Sequence, residues 1–391
     1  MGTTRRIVIG GAGLSLLGAL GYRAWDRGAL EAAEGGAFAP WREWRGTSAD
    51  GPRQPLRAAI LAASPHNTQP WLFRTAGSSI KVLADRSRNL GSFDPFRREL
   101  HLGVGCAIEN LMHAAAVRGY SMNVIVNGGR LVPSPGPGPV PAAHLWLDAG
   151  PPMRDALFEA IPNRHTNRGP YLDRPVRERD LLKLIELVSS DQVRIALVTE
   201  SRARSDLAAA IVQATARIVA DRQMSQDSAR WFRTGRREVE EHRDGVSIDA
   251  AGLSPFMAAV AKMLPDQDAA AADRYWLDMT RSVQTVAPVL GLIMVRDRLD
   301  MGGAVAAGRA WQRLHLAATA MGLDAQPLNQ PVECVDRNAE LGRNDEFAKS
   351  LKRFARSSDW EATFCFRLGY GERPALPSPR RRFGDVVAAG S

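Results

Sequence analysis

Apolar positions along this chain switch repeatedly between a helical and a strand period, and the switches divide it into elements. Helical spacing is predicted over residues 54–63, 103–119, 179–188 and 307–323. Strand-like alternation or short apolar runs are predicted around Leu72 and over residues 80–83, 122–126, 144–147, 193–198, 289–295 and 362–368. Ala76-Gly77-Ser78 reads as the turn between the first two strands, and residues 133–141 as a Pro/Gly-rich loop. Residues 94–102 are charged and cap or precede the long helix after them. Strands and helices mixed in this order indicate an α+β fold with mixed sheets flanked by helices.

Two of the helices resemble each other. VGCAIENLMHAAAVRGY (104–120) lies without gaps on AGRAWQRLHLAATAMGL (307–323), aligning Gly105 with Gly308, Leu111 with Leu314 and Gly119 with Gly322. Small residues on one face allow two backbones to approach closely, so the match predicts a tandem duplication packed about a pseudo-twofold axis. Residues 202–285 form a long, Ala- and charge-rich helical stretch without counterpart in the first half, and read as an insertion able to cover a site. The expected organisation is a lead-in over 1–40, a first half over 41–150 and a second half over 151–391 that contains the insertion.

Composition narrows the chemistry. A chain of 391 residues with 45% hydrophobic content can bury a core, and its net charge of +9 comes mainly from dispersed arginine. Dispersed arginine suits a phosphate-bearing ligand or an anionic macromolecule; no nucleic-acid module is recognisable, so no nucleic acid is expected. Cys106, Cys334 and Cys365 are far apart and predict neither a disulfide framework nor a metal site.

Arg5-Arg6 precede Ile7–Tyr22, a run of sixteen uncharged residues. That is short of the roughly twenty a membrane span needs, and it reads as a Tat export signal. A short anchor or a tail is the alternative. Ala37-Phe38-Ala39 is the best cleavage site but Pro40 follows it, so a retained signal is open. The expected location is the periplasm or cell envelope.

The candidate chemistry lies in LAASPHNTQPWLF (61–73), where Ser64, His66, Asn67, Thr68 and Gln69 crowd hydrogen-bonding side chains between Pro65 and Pro70. It is either a ligand loop or a helix end stopped by Pro65. In IPNRHTNRGPY (161–171), Arg164 and Arg168 flank Thr166 and can face one phosphate, or else decorate a surface helix start. Arg380–Arg382, after three prolines, have the look of a solvated basic tail.

SPHNTQPW (64–71) is similar to the PS-x-x-N-x-QPW flavin loop of the FMN-binding nitroreductase-like family, and RHTNR (164–168) to its R-x-S/T-x-R motif. The chain from about residue 55 to 382 most resembles the tandem-duplicated Acg branch. The resemblance implies one composite FMN site. In it Arg164, Arg168 and Arg380 would meet the phosphate, His165 and Thr166 the ribityl or phosphate oxygens, and Ser64, Asn67 and Gln69 the ring edge and ribityl. The turn Pro327, Leu328 and Asn329 would lie near flavin N5. His66 stands where the family is small and polar, and is a proton donor or a packed residue; Ser378 replaces a family lysine. The implied function is a flavoprotein oxidoreductase using NAD(P)H or another reductant on a small electron-poor acceptor, with no catalytic side chain. The alternative is a non-catalytic FMN-sequestering protein covered by the insertion. A hydrolase built on Ser64 and His66 is disfavoured, since no orienting acid accompanies them. A chain that contains its own pseudo-dimer is expected to be a monomer.

Overall fold

The alternation beside the candidate loop folds as a hairpin: β1 (Trp71–Ala76) and β2 (Ser79–Asp85) close through Gly77, at φ 56°, with Ala76 opposite Ser79. The computed structural model describes residues 21–389 except 135, 265–267, 345 and 356–358. The Arg5-Arg6 pair and most of the apolar run therefore lie outside the described residues. Helix α1 (Arg98–Val117) starts before its apolar period does, because the Asp94 carboxylate accepts from the backbone N–H of Glu99 at 3.1 Å and Leu100 at 2.9 Å. After Gly119, at φ 79°, come β3 (Tyr120–Val126) and β4 (Pro139–Ala149), then α2 (Glu178–Val188) and β5 (Arg194–Val198).

The stretch read as an insertion contains α3 (Ser201–Ala220), α4 (Arg222–Ala229), α5 (Arg236–His242), α6 (Pro255–Met263) and α7 (Ala269–Met279). It is not wholly helical, since β6 (Phe232–Arg233) and β7 (Val246–Ser247) pair in parallel within it. The rest is β8 (Val289–Val295), α8 (Met301–Ala320), β9 (Asp324–Pro327), α9 (Gln330–Glu340), α10 (Glu346–Ala355), β10 (Glu361–Gly369) and β11 (Val387–Ala389).

These elements make the expected α+β fold. One sheet has the order β11-β1-β2-β4-β3 and a second the order β5-β8-β10-β9. Every residue of β8 is buried, as an unbroken apolar run requires of a strand covered on both faces. Two expectations need correcting. The helix over 54–63 shrinks to Leu56–Ala59, because the chain turns ahead of Pro65. Residues 362–368 are not the final strand: beyond β10 the chain crosses back, and β11 pairs in parallel with β1, Val387 opposite Phe73. The crossing buries Arg380, so the basic run is not a solvated tail.

Helices α1 and α8, the two that resemble each other, cross at the centre of the main core. A Cβ on Gly308 would stand 1.9 Å from the Leu102 carbonyl oxygen, and one on Gly105 would stand 2.1 Å from that of Val305. Leu102 and Val305 are themselves equivalent in the ungapped alignment, so the contact is reciprocal, as across a twofold axis. Helix α1 is long and apolar enough to cross a membrane, but 78% of that window is buried here.

Gly308→Ala should therefore cost about 1–3 kcal/mol of unfolding free energy through overpacking. Gly384→Ala, where a Cβ meets nothing within 4 Å, should stay within about 0.5 kcal/mol. Urea unfolding of the two variants checks this, and an unperturbed Gly308→Ala would contradict the close crossing.

Candidate functional site

The loop after Ala63 is held in an uncommon backbone conformation. His66, Asn67 and Gln69 all have positive φ, at 45°, 55° and 51°, a region where non-glycine residues cost energy unless their surroundings hold them. Local bonds do part of this: the Ser64 hydroxyl accepts from the Gln69 N–H at 3.0 Å, and Thr68 N–H donates to the Pro65 carbonyl at 2.9 Å. The remaining restraint comes from distant segments. The Asn67 amide donates to the carbonyls of Gly245 at 3.0 Å and Pro379 at 2.9 Å, and its oxygen accepts from Arg380 at 2.5 Å. The Gln69 amide donates to the Arg243 carbonyl at 2.8 Å and accepts from Arg381 N–H at 2.8 Å. The insertion and the C-terminal crossing thus both close on this loop, and both amide side chains are satisfied within the protein.

Next to the loop is a concentration of buried positive charge. Arg164 and Arg380 are each 2% exposed, and both donate to the carbonyl oxygen of Leu61, at 2.9 Å and 3.2 Å. Neither lies within ion-pair distance of a carboxylate among the described residues, and in each the Nε–H has no acceptor among them. Burial depresses Arg164 to about 10 and lowers Arg380 well below the ordinary guanidinium range; for Arg380 the neighbouring Arg164 adds to the effect. The Arg380 guanidinium sits 4.6 Å above the Trp41 ring, and His165 meets the same ring edge-on at 4.6 Å. Burial, then Arg164 and Arg380, push His165 down to about 3, and burial with Arg164 lowers His315 as well.

The other predicted residues are placed differently. Thr166 bridges Ala325 through its backbone. Arg168 turns away from Arg164 and donates to the Ala250 carbonyl of the insertion at 3.0 Å, with burial and Arg367 lowering it to about 10. A Cβ on Gly252 would come within 2.4 Å of the Arg168 backbone, so the insertion is seated directly on this motif. Pro327 ends β9, and Leu328 is fully buried with its N–H on the Cys365 carbonyl. Asn329 donates to Glu99 and accepts from Cys365 N–H at 3.0 Å, which ties it to a buried acidic network.

His66 Nε2 lies 2.9 Å from the Ser228 hydroxyl, and the ring is flanked edge-on by Phe93 and Phe232 at 5.2 Å and 6.2 Å. Burial, then the charge of Arg168, hold its pKa at about 4, so it is neutral at neutral pH. Sequence reasoning missed Trp41, His315, Ser228 and the carbonyls of Arg243, Gly245 and Ala250. Backbone acceptors leave no side-chain signature; an indole in a lead-in segment and a histidine within the repeated helix were at least visible.

No family model matches the chain. Two Mycobacterium tuberculosis proteins are similar to it. "Putative NAD(P)H nitroreductase Rv3131" is 27% identical over 353 residues, covering 86% of this chain and 90% of the relative. "Putative NAD(P)H nitroreductase acg" is 29% identical over 161 residues, covering 40% and 46%. The resemblance to proteins named as nitroreductases thus extends over most of the chain, and the resemblance to acg over 40% of it. Among solved structures, a nitroreductase with bound FMN from Bacteroides fragilis aligns with 15% identity, over 61% of this chain and 100% of its own, at a TM-score of 0.37. The FMN-dependent nitroreductase NfnB from Mycobacterium smegmatis, in complex with NADPH, aligns with 19% identity over 60% and 98%, at 0.38.

The depressed His66 has a pH consequence. Between its ordinary value of 6.5 and about 4, the unfolded chain binds a proton that the folded chain does not. The stability due to neutral His66 is thus fully present above 6.5 and is lost as pH falls toward 4. His66→Asn should flatten the stability-versus-pH curve in that window by up to about 1.4 kcal/mol per pH unit. Unfolding midpoints measured across the window test it; an unchanged slope would place the histidine in solvent.

Proposed function

We propose that this protein is an FMN-binding oxidoreductase of nitroreductase type. The observation that carries the reading is the pair of buried guanidinium groups, Arg164 and Arg380, sharing the Leu61 carbonyl with no carboxylate partner among the described residues. Two desolvated cations side by side are costly unless an anion joins them, and a dianionic phosphate supplies the missing charge and acceptors for the idle Nε–H groups. Arg164 and Arg380 would hold that phosphate, with His165 at its border and Trp41 supporting Arg380 from beneath. Bound FMN would supply hydride transfer through its N5 to a small electron-poor acceptor, with a nicotinamide as the source of reducing equivalents. The chain's own work is to bind, orient and exclude water; neutral His66, held by Ser228 and packed against Phe93 and Phe232, helps to fix the loop.

A second reading is favoured by one specific observation. The Asn67 and Gln69 amides, which would read the ring edge, are engaged by the Gly245 and Arg243 carbonyls of the insertion. A cover fixed in this way would keep nicotinamide from the ring and make the protein a flavin store. The reciprocal α1–α8 contact supports a tandem duplication and a monomer as the working unit, and the Arg5-Arg6 run supports Tat export to the cell envelope.

The purified chain should be yellow, and its visible flavin band should bleach under anaerobic NADH or NADPH and return with a nitroaromatic or quinone. Bound flavin that only dithionite reduces would favour storage instead. Arg164→Met and Arg380→Met should each weaken FMN binding at least about tenfold, the loss of a charge-assisted contact. Arg222→Ala, on the exposed start of α4, should leave it unchanged. A colourless protein that takes up no FMN would sink both readings.

A further inference from the structure

The arm that enters the fold from the N-terminus carries its apolar side chains outward. Residues 21–26 are helical, with Tyr22 67% and Trp25 64% exposed, their rings 6.0 Å apart, and Leu30 beyond them 91% exposed. Its polar contacts point the other way, into the insertion. Arg23 donates to the carbonyls of Met263 at 3.0 Å and Leu264 at 3.2 Å. The buried Lys262 ammonium holds the carbonyls of Gly28 and Glu31, at 3.0 Å and 2.8 Å, and the Asp249 carboxylate at 2.8 Å. The arm is thereby clamped alongside α6.

Helix α6 is also apolar on its outer side. Phe256 and Met257 are 75% and 50% exposed, and Leu264, the extended residue that follows the helix, is 45% exposed. Arg23 donates to the Leu264 carbonyl, so the end of α6 lies against the arm. Six large apolar side chains turned to solvent in one region exceed the scattered singles of an ordinary surface.

The sequence names an occupant. Immediately before this patch run the sixteen uncharged residues Ile7–Tyr22, and the patch begins with the Tyr and Trp that favour the boundary between headgroup and acyl chain. Sixteen residues are fewer than the roughly twenty of a full span, so an anchor of this length gains from a second apolar contact. We propose that Tyr22, Trp25 and Leu30, with Phe256 and Met257 of α6 and Leu264 just after it, form one lipid-docking surface. It seats the folded protein on a phospholipid bilayer, with the insertion that covers the Asn67 loop on the membrane side. This holds whether or not the flavin turns over.

The test is flotation of the full-length chain with vesicles of equal parts phosphatidylcholine and phosphatidylglycerol. The double variant Phe256→Ser/Met257→Ser should lower the partition coefficient at least about tenfold. Ile125→Ser, which removes a side chain 56% exposed on β3, should not. Brominated lipid should quench part of the tryptophan emission, and Trp25→Phe should abolish that part while the protein still floats. A double variant that floats like the parent would leave binding to the apolar run alone and overturn the proposal. So would a parent chain that fails to float, or self-association without lipid that Phe256→Ser abolishes, which would make a second copy the occupant.

Discussion

The crossing of α1 and α8 is the constraint from which the site follows. Backbones this close need glycine at both contact points and small residues around them, and the reciprocal stacking of Gly105 on Val305 and Gly308 on Leu102 fixes how the two helices sit against each other. The same helices reach outward through polar side chains. Asn110 on α1 accepts from Gln312 on α8 at 2.7 Å and donates to the Ala58 carbonyl at 2.9 Å, while the Gln312 oxygen accepts from Ala63 N–H at 3.1 Å. Ala63 is the last residue before the Ser64 loop. The loop's point of departure is thus fixed by a buried hydrogen-bonded chain anchored in the helix pair, and with it the Leu61 carbonyl on which Arg164 and Arg380 converge.

What could be read from the residues alone follows the range of the forces involved. Periodicity foretold β8 residue for residue and located α1, α2 and α8, because burial on one face or both leaves a pattern within a few residues. The internal match singled out Gly105 and Gly308 because a close crossing permits little else there. Long-range pairing left no such trace. Nothing around Val387 announces a strand that closes the first sheet, since β11 takes its order from β1. Arg164 and Arg168 look equivalent in RHTNR, yet the seating of Gly252 turns Arg168 to the Ala250 carbonyl, so only Arg164 meets Arg380. Asn67 and Gln69 were legible as hydrogen-bonding groups for a ligand, while the insertion carbonyls that engage them left no trace in the sequence.

The protein contains a second buried charge cluster, and comparing the two sharpens the meaning of the first. Arg98, fully buried, pairs with Asp336 at 2.7 Å and Glu99 at 3.3 Å, and also donates to the Thr363 carbonyl at 2.5 Å; Arg298 joins Asp336 from the other side. Burial raises Asp94 to about 6 and Glu99 to about 7, and raises Glu333 well above the usual carboxylate range. There the fold matches cations to carboxylates within the chain and lets the surplus acids hold protons, which is how a structural network escapes the cost of isolated buried charge. Around Arg164 and Arg380 it supplies carbonyls, an indole face and neutral histidines, but no carboxylate within ion-pair reach among the described residues. Carbonyl oxygens orient a guanidinium without neutralising it. A chain that compensates one arginine cluster so fully and leaves the other without a carboxylate among the described residues supports the proposed reading, in which an anion from outside the chain completes the second cluster beside the Ser64 loop.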